Sequence, residues 1–305
     1  MNDYGILIIA FRRPNELRSL IQSSSVSGRK VYVYVDFDES LSKENQEVIQ
    51  IVKSLQLNGI ITCLVNSKNM GVGRAVPLAI SWSLETEGHV LVLEDDCELG
   101  EHALNYFSKA QAFIGGKVAI VSGRSAWAEE DKSVIHKRLT LTNLPLTNGF
   151  LVSKRSWEKI SQSLVNPNLE RRFLTSTLER PRYILELSYL YSACVSNSKI
   201  AMKAWDCFIA FEMLASDLYS VNPNISTITT RGIDDVASNT KISNGDYSEY
   251  IVLASNLEPS AILDKSQNSL LITNRQISRN IYKVKIHNLF SPIKSWLKIC
   301  KYKFL

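Results

Sequence analysis

The chain has 305 residues, of which 45% are hydrophobic and 21% charged, and its net charge is +5. This composition excludes disordered and fibrous proteins and predicts a globular enzyme-sized protein. The segment from Arg275 to Leu305 holds eight of the 35 Lys and Arg residues and no Asp or Glu, which leaves 27 basic against 30 acidic residues before it. A broadly basic nucleic-acid-binding surface is therefore excluded, and the positive charge belongs to the C-terminal tail.

Two features of the sequence predict the cellular compartment. No apolar stretch of about eighteen residues occurs, and the N-terminus lacks the basic start of a signal peptide, so we expect a cytoplasmic protein. The five cysteines are odd in number and scattered, without a C-x-x-C pair. We expect them to be reduced thiols rather than disulfides or zinc ligands.

The first hundred residues alternate short apolar runs with helical patterns, which is typical of an α/β fold with a mostly parallel sheet flanked by helices. Strands are predicted at 4–11, 31–36, 59–65 and 89–93, with helices from Pro14, through Val48 to Leu55, and over 73–84. Further strands are predicted at 118–122 and 148–152. Helices are predicted from Lys154, over about 170–198 and over 207–218.

Polar side chains follow the predicted strands, where the ligand crevice of such a sheet lies. Arg12 and Arg13 follow the first strand and Asp36 follows the second. Cations and carboxylates that meet at one edge suit a metal-bound phosphate ligand.

An acidic cluster, Glu94-Asp95-Asp96, directly follows the fourth strand. If the chain stays extended there, Glu94 and Asp96 share one face, because side chains two residues apart point the same way. Carboxylate oxygens are the ligands that a hard divalent cation prefers, and a diphosphate completes its shell. The alternative is a solvated acidic turn.

The sequence around this cluster resembles a known family in several motifs between residues 4 and 245. The motifs are Phe11-Arg12-Arg13-Pro14, Asp36, Asn69-Met70-Gly71, Val90-Leu91-Val92-Leu93-Glu94-Asp95-Asp96 and Ala103-Leu104-Asn105-Tyr106-Phe107. They resemble the nucleotide-sugar glycosyltransferases of the GT-A fold, a family with the eukaryotic N-acetylglucosaminyltransferase that begins complex N-glycans and bacterial sugar transferases with an E-D-D strand end. The E-D-D segment is the specific part of the likeness.

The resemblance implies roles for the matching residues. Asp96 would bind Mn²⁺ or Mg²⁺, while Glu94 and Asp95 support the metal or the ribose. Phe11, Arg13 and Asp36 would hold the nucleotide, and a carboxylate such as Asp36 favours UDP because it accepts a hydrogen bond from the uracil imide. The alternatives are a surface residue at a helix start for Arg13 and a turn former for Asp36.

Glycines precede the third predicted helix in the segment Gly71-Val72-Gly73. Neither a dinucleotide fingerprint nor a G-K-[ST] motif follows them, so we expect close packing there. Arg74 is a candidate phosphate contact.

The segment Lys203-Ala204-Trp205-Asp206-Cys207-Phe208 resembles the family's W-D segment. An inverting transfer needs a carboxylate that takes the proton of the acceptor hydroxyl, and Asp206 is the candidate for this general base. The alternative is an N-cap, because the residues after Asp206 have helical spacing.

Further candidates resemble the parts of the family that contact the donor sugar, the acceptor or a closing lid. Gly232, Asp234 and Asp235 belong to a glycine-containing loop that would close over the donor. This loop has Ser238 where bacterial relatives often have a histidine. The acceptor and donor-sugar candidates are Trp127, Asn148, Gly149 and Trp205.

The tail from Ile281 to Leu305 interleaves apolar residues with lysines. This pattern favours an interfacial helix on an anionic membrane surface, each lysine contributing about 1 kcal/mol. The alternative is a helix packed on the catalytic domain. We therefore expect a GT-A-like catalytic domain over 1–245, with a donor half over 1–110 and an acceptor half over 111–245, and a basic helical segment over 246–305.

Together these features predict an inverting, metal-dependent hexosyl- or N-acetylhexosaminyltransferase. It would use a UDP-sugar and a glycan or lipid-linked saccharide acceptor in bacterial surface polysaccharide assembly, on the inner face of the membrane. One alternative is a sugar-phosphate nucleotidyltransferase, which usually has a glycine-rich basic loop after the first strand, where this chain has Phe11-Arg12-Arg13-Pro14. The other is a catalytically silent, membrane-associated binding module.

Overall fold

The structure is a computed structural model that describes residues 4–25, 28–125, 139–143, 145–165, 168–198, 205–223 and 226–230. Its helices are α1 (Pro14–Ser25), α2 (Lys43–Leu57), α3 (Val72–Ser83), α4 (Ala103–Ala110), α5 (Lys154–Ile160), α6 (Gln162–Val165), α7 (Leu169–Glu179), α8 (Ile184–Ser198) and α9 (Asp206–Ala215). Short 3-10 turns occupy Gln111–Phe113 and Pro181–Tyr183. None of the described helices is long and apolar enough to cross a membrane.

The strands are β1 (Gly5–Ala10), β2 (Val31–Val35), β3 (Thr62–Val65), β4 (His89–Glu94), β5 (Cys97–Leu99), β6 (Val118–Ser122), β7 (Thr140–Thr142), β8 (Phe150–Ser153), β9 (Tyr219–Asn222) and β10 (Ile228–Thr230). Eight of them form one sheet in the order β3-β2-β1-β4-β8-β6-β9-β7, and β10 pairs with β5 in a second, two-stranded sheet.

The large sheet is parallel over β3, β2, β1 and β4, as predicted. Strand β8 lies antiparallel between β4 and β6, and β7 lies antiparallel to β9, while β6 and β9 are parallel. The predicted α/β fold, with a mostly parallel sheet flanked by helices, is confirmed. One sheet therefore runs through both predicted halves of the 1–245 domain, and the segment 246–305 lies outside the described residues.

Helices cover both faces of the sheet because each presents an apolar stripe. On one face, α1, α2 and α4 pack on Ile6, Ile8, Leu91 and Leu93. On the other face, α3, α5 and α9 pack on Leu7, Val90 and Val92. Helices α7 and α8 form a further layer that packs on the outer side of α9. The burial of alternate strand residues on opposite faces follows from the two-residue period of a strand.

Ile228 of the small sheet packs against two glycines at the ends of large-sheet strands, Gly123 and Gly149. A Cβ atom at Gly123 would lie 2.7 Å from Cδ1 of Ile228, and one at Gly149 would lie 2.4 Å from the same atom. Gly149 also has a φ angle of 79°, which L-residues with a side chain rarely adopt. Gly149, a predicted donor-sugar or acceptor contact, is thus needed for the backbone turn and for packing.

Candidate active site

The carboxyl ends of β1, β2 and β4 bring together the polar residues singled out in the sequence. Strand β4 ends at Glu94, and Asp95 and Asp96 form the turn that leads into β5. The chain is not extended beyond Glu94, so the expectation that Glu94 and Asp96 share a strand face was wrong. The turn arises because β5 leaves the large sheet to pair with β10.

Asp95 lies at the centre of this turn and is 4% exposed. Its two carboxylate oxygens accept hydrogen bonds from the amide of Phe11 at 2.9 Å and from the guanidinium of Arg13 at 2.9 Å. The same Arg13 nitrogen lies 3.5 Å from Oδ2 of Asp96. A buried carboxylate that is paired in this way fixes the loop after β1 against the acidic turn.

Two carboxyl groups at the acidic turn, those of Glu94 and Asp95, have raised pKa values. Burial and, to a smaller extent, the charges of Asp96 and Asp95 raise the pKa of Glu94 to about 8, against the opposing charge of Arg13. Burial raises the pKa of Asp95 to about 6, against the opposing effect of the Phe11 amide and Arg13. Clusters of this kind are common where a cation or a proton is exchanged.

Asp206 is exposed and begins α9. Glu94 lies on the face of β4 that carries Val90 and Val92, and α9 covers that face. The charge of Asp206 makes the smallest of the contributions that raise the pKa of Glu94. The helix that begins at Asp206 and the strand that ends at Glu94 therefore pack on each other, although the two residues are far apart in the sequence.

The capping alternative for Asp206 is not supported by the start of α9. The capping position is held by Trp205, whose side chain makes no capping hydrogen bond, and Asp206 is the first helical residue. Trp205 itself is 5% exposed, and its ring centroid lies 6.2 Å from that of Phe150 in the core. The ring of Trp205 therefore packs in the core, and its predicted contact with the acceptor stays a prediction.

The carboxylate of Asp36 accepts hydrogen bonds from the loop between β3 and α3. It is 6% exposed and accepts hydrogen bonds from the side chain of Asn66 at 2.9 Å and from the amides of Met70 and Gly71 at 3.0 and 2.9 Å. These bonds hold the loop before α3. Recognition of uracil by Asp36 stays a prediction. The carboxylate would have to accept the imide hydrogen bond in addition to its bonds with this loop.

Three other predicted site residues, and the two glycines at the start of α3, have defined positions. Phe11 and Asn148 are partly exposed, and Arg74 is exposed in the first turn of α3. Gly71 precedes α3 with a φ angle of 70°, and Gly73 is buried in the helix, as expected for close packing. The remaining candidates lie outside the described residues: Trp127, Gly232, Asp234 and Asp235. The last described residue, Thr230, pairs with Cys97 beside Asp96.

A cavity of about 300 Å³ opens between α1 and the acidic turn. Its polar lining consists of Glu16, Ser19, Ser23, Asp96 and Glu98. Within the described residues, no group of three or more His, Cys, Asp or Glu side chains is placed to hold a metal ion. The oxygen ligands at Asp96 suit Mn²⁺ or Mg²⁺ only if a ligand such as a diphosphate, together with water, completes the coordination shell.

Asn45 is a residue of the site that the sequence interpretation missed. It is 1% exposed in the first turn of α2 and bonds to the backbone after both β1 and β2. One signal was available: Asn45, Val48 and Val52 have the spacing of a buried helical stripe, and all three are buried. A polar residue on such a stripe indicates a specific buried partner.

Comparisons with known proteins give similarity in fold only. No protein-family model matches the sequence, and no curated protein matches it. Similar solved structures include S. aureus TarS 1–349, at 14% identity and a TM-score of 0.34, covering 52% of this chain and 48% of that one. The glycosyltransferase GlyE of Streptococcus pneumoniae TIGR4 has 14% identity and a TM-score of 0.35, with 86% and 62% covered.

A third similar structure is a glycosyltransferase involved in the glycosylation of the major capsid of PBCV-1. It has 14% identity and a TM-score of 0.26, with 53% of this chain and 66% of that chain covered. The chain thus spans about half to two thirds of the length of these structures. Likeness at such TM-scores is too low to support an activity, so function rests on the site itself.

Proposed function

We propose that the protein is an inverting, metal-dependent glycosyltransferase that moves a sugar from a UDP-sugar to a saccharide or lipid-linked saccharide. One observation carries the proposal: α9, which begins with the exposed Asp206, covers the face of β4 that ends at Glu94, and the turn after β4 holds Arg13 against Asp95 and Asp96. A general base and a site for a metal-bound diphosphate are the two parts that such a transfer needs. Their convergence from distant segments supports a common role.

The donor end of the site would be held by the acidic turn. Asp96 would bind Mn²⁺ or Mg²⁺ with the two phosphates, and the bound ion would neutralise the negative charge of the leaving diphosphate. Arg13 adds a positive charge 3.5 Å from Asp96. Asp95 keeps this guanidinium in place, because it accepts the 2.9 Å hydrogen bond from Arg13.

The acceptor end would be served by Asp206. Its carboxylate accepts the proton of the acceptor hydroxyl while that oxygen bonds to the anomeric carbon. The bond from this carbon to the diphosphate oxygen breaks in the same step, on the opposite side of the sugar ring, so the anomeric configuration is inverted. The exposed position of Asp206 fits an acceptor that approaches from solvent.

A screen of UDP-sugars with the full chain tests this proposal. We expect at least one UDP-sugar to raise the melting temperature and to be hydrolysed slowly in the presence of Mn²⁺ or Mg²⁺, with both effects removed by a chelator. The identity of that donor would decide between a hexosyl- and an N-acetylhexosaminyltransferase. Absence of binding and of hydrolysis for every UDP-sugar with either ion would contradict the proposal.

The nucleotidyltransferase alternative is less well supported by the loop after β1. This loop, Phe11-Arg12-Arg13-Pro14, has no glycine, whereas a nucleotidyltransferase usually has a glycine-rich loop there. Incubation with a sugar 1-phosphate and UTP, followed by a pyrophosphate assay, separates this activity from transfer. A silent binding module would bind UDP yet give no product in either assay.

We further propose that the basic tail binds an anionic membrane and brings the site to lipid-linked saccharides in surface polysaccharide assembly. The basis is the interleaving of lysines with apolar residues from Ile281 onward, in a segment outside the described residues. Deletion of residues 276–305 should abolish sedimentation with anionic vesicles at low salt while donor hydrolysis continues. Equal sedimentation of the truncated and full chains would contradict a membrane role.

A further inference from the structure

Asn45 connects two of the loops that form the donor side of the site. Its side-chain nitrogen donates to the carbonyl of Phe11 at 2.6 Å and to the carbonyl of Asp36 at 3.0 Å. Its side-chain oxygen accepts from the amide of Asp38 at 3.2 Å. All three partners are backbone atoms, one in the loop after β1 and two in the loop after β2.

An amide is the side chain that this position requires. It offers two N–H donors and a carbonyl acceptor on one planar group, which matches two carbonyls and one amide. An ionised Asp at position 45 would direct acceptors at the carbonyls of Phe11 and Asp36, and Ala would leave three buried backbone groups without this partner. The backbone of Asn45 is held separately, because its own N–H donates to the hydroxyl of Ser42, the N-cap of α2, at 3.3 Å.

The effect of Asn45 extends to the acidic turn through the backbone of Phe11. The carbonyl of Phe11 is bound by Asn45 and its amide by Asp95, so this residue is held from two elements, α2 and the turn after β4. Arg13 follows two residues later and contacts both Asp95 and Asp96. The position of the guanidinium thus depends on a loop that Asn45 fixes.

We propose that Asn45 is a positioning residue that holds the loops after β1 and β2 in one arrangement and, through them, sets the affinity for the donor nucleotide. The effect on the donor rests on the proposed function, whereas the effect on the loops does not. Asn45 touches no donor in this scheme and acts through Phe11 and Asp36. A displacement of about 1 Å in a positioned group lowers a reaction rate or affinity by a large factor.

The test compares Asn45→Ala with Val52→Ala, a matched control on the same helix. Val52 is also fully buried and packs in the core beneath the sheet, two helical turns from the loops. Both variants should melt at a lower temperature than the wild type. Only Asn45→Ala should weaken binding of UDP with Mn²⁺, by about tenfold or more, and raise the donor KM more than it lowers kcat.

Hydrogen exchange of the backbone makes the result independent of the donor. Each variant is measured at the same number of degrees below its own melting temperature. Under these conditions the amides of residues 11–13 and 36–42 should exchange faster in Asn45→Ala than in Val52→Ala. If Asn45→Ala does not fold, Asn45→Ser serves as the milder variant. Equal exchange and equal UDP affinity in the two variants would overturn the proposal, whereas faster exchange in a protein that binds no UDP-sugar would contradict only the proposed function.

Discussion

Two acidic segments flank β1 at the same edge of the sheet. Asp36 and Asp38 follow β2, whereas Glu94 ends β4 and Asp95 and Asp96 form the turn after it. The first segment is surrounded by donors. Arg12, Ser42 and Ser40 bond to Asp38 and hold the pKa of its carboxyl well below its usual range. Asp36 is bonded to the loop before α3.

In the second segment the pKa shift has the opposite direction. Arg13 and the Phe11 amide donate to Asp95, while burial and neighbouring carboxylates raise the pKa of Glu94 to about 8. Two clusters of the same residue types at neighbouring strand ends therefore differ in the direction in which folding shifts the pKa of Asp38 and of Glu94. The first cluster bonds to the loops around it, and the second is the one that we propose as the cation site.

Replacing one carboxylate of each cluster should separate these roles, with the largest effect at Asp96. We expect Asp96→Ala to abolish transfer and metal-dependent UDP binding without unfolding the protein. Asp38→Ala should instead lower the melting temperature, because it removes the partner of Arg12 and of the Ser40 and Ser42 backbone. Calorimetric titration with UDP and Mn²⁺, beside thermal melting, measures both. Unchanged metal-dependent affinity in Asp96→Ala would remove Asp96 from the site.

Asp206 extends the comparison to a carboxylate that is exposed. If Asp206 is the base, Asp206→Asn should keep donor affinity and melting temperature while transfer falls by roughly 10²-fold or more. Asp206→Ala should give at least the same loss of transfer, because it also removes the carboxylate that would take the proton. Transfer rates, donor affinity and melting temperature of both variants decide the matter. Near-normal transfer by the Asn variant would exclude Asp206 as the base.

The smallest expected effect is a difference in how stability depends on pH. Between its ordinary pKa of 4.5 and about 8, Glu94 keeps a proton in the folded state that the unfolded chain has lost. The free energy of unfolding therefore falls as pH rises through this window, and Glu94→Gln should remove that part of the slope, worth a few kcal/mol at most. Melting at pH 5 and pH 8 measures the difference between variant and wild type.

Asp38 should show the opposite dependence. Because its pKa is lowered in the folded state, its contribution to stability is present above its ordinary pKa of 3.8 and is lost as pH falls below that value. Asp38→Asn should therefore flatten the stability curve on the acid side only. Parallel curves for wild type, Glu94→Gln and Asp38→Asn would contradict the contrast between the two clusters.

Elements with a long regular pattern were predictable from the sequence. The first four strands, the helix start at Pro14 and the helix over 73–84 appear within three residues of the predictions, because hydrophobic periodicity is local information. The helix predicted through Val48 to Leu55 is α2, which begins five residues earlier, at Lys43. Strands β5, β7 and β10 have three residues each, too few to show a period. The antiparallel insertion of β8 between β4 and β6 depends on long-range pairing that no local pattern specifies.

The candidate site was predictable in its residue types and not in its arrangement. Strand ends identified Arg13, Glu94 and Asp96 because topology places such residues at one edge. The sequence could not show that Asp36 bonds to the loop before α3, since its partners are backbone amides 34 and 35 positions away. Asn45 was missed for the same reason: its bonding partners are backbone groups, which every residue carries.

The contact of Ile228 with Gly123 and Gly149 has a consequence for sequence variation. The side chain of Ile228 occupies the space that two glycines leave open, one just after β6 and one just before β8. Tolerance at these positions is therefore a joint property: alanine at position 123 should be accepted more readily once position 228 holds valine or alanine than beside isoleucine. Position 149 lacks this freedom, because its φ angle of 79° selects glycine whatever residue lies opposite. Among functional variants of this chain, positions 123 and 228 should covary while position 149 stays fixed.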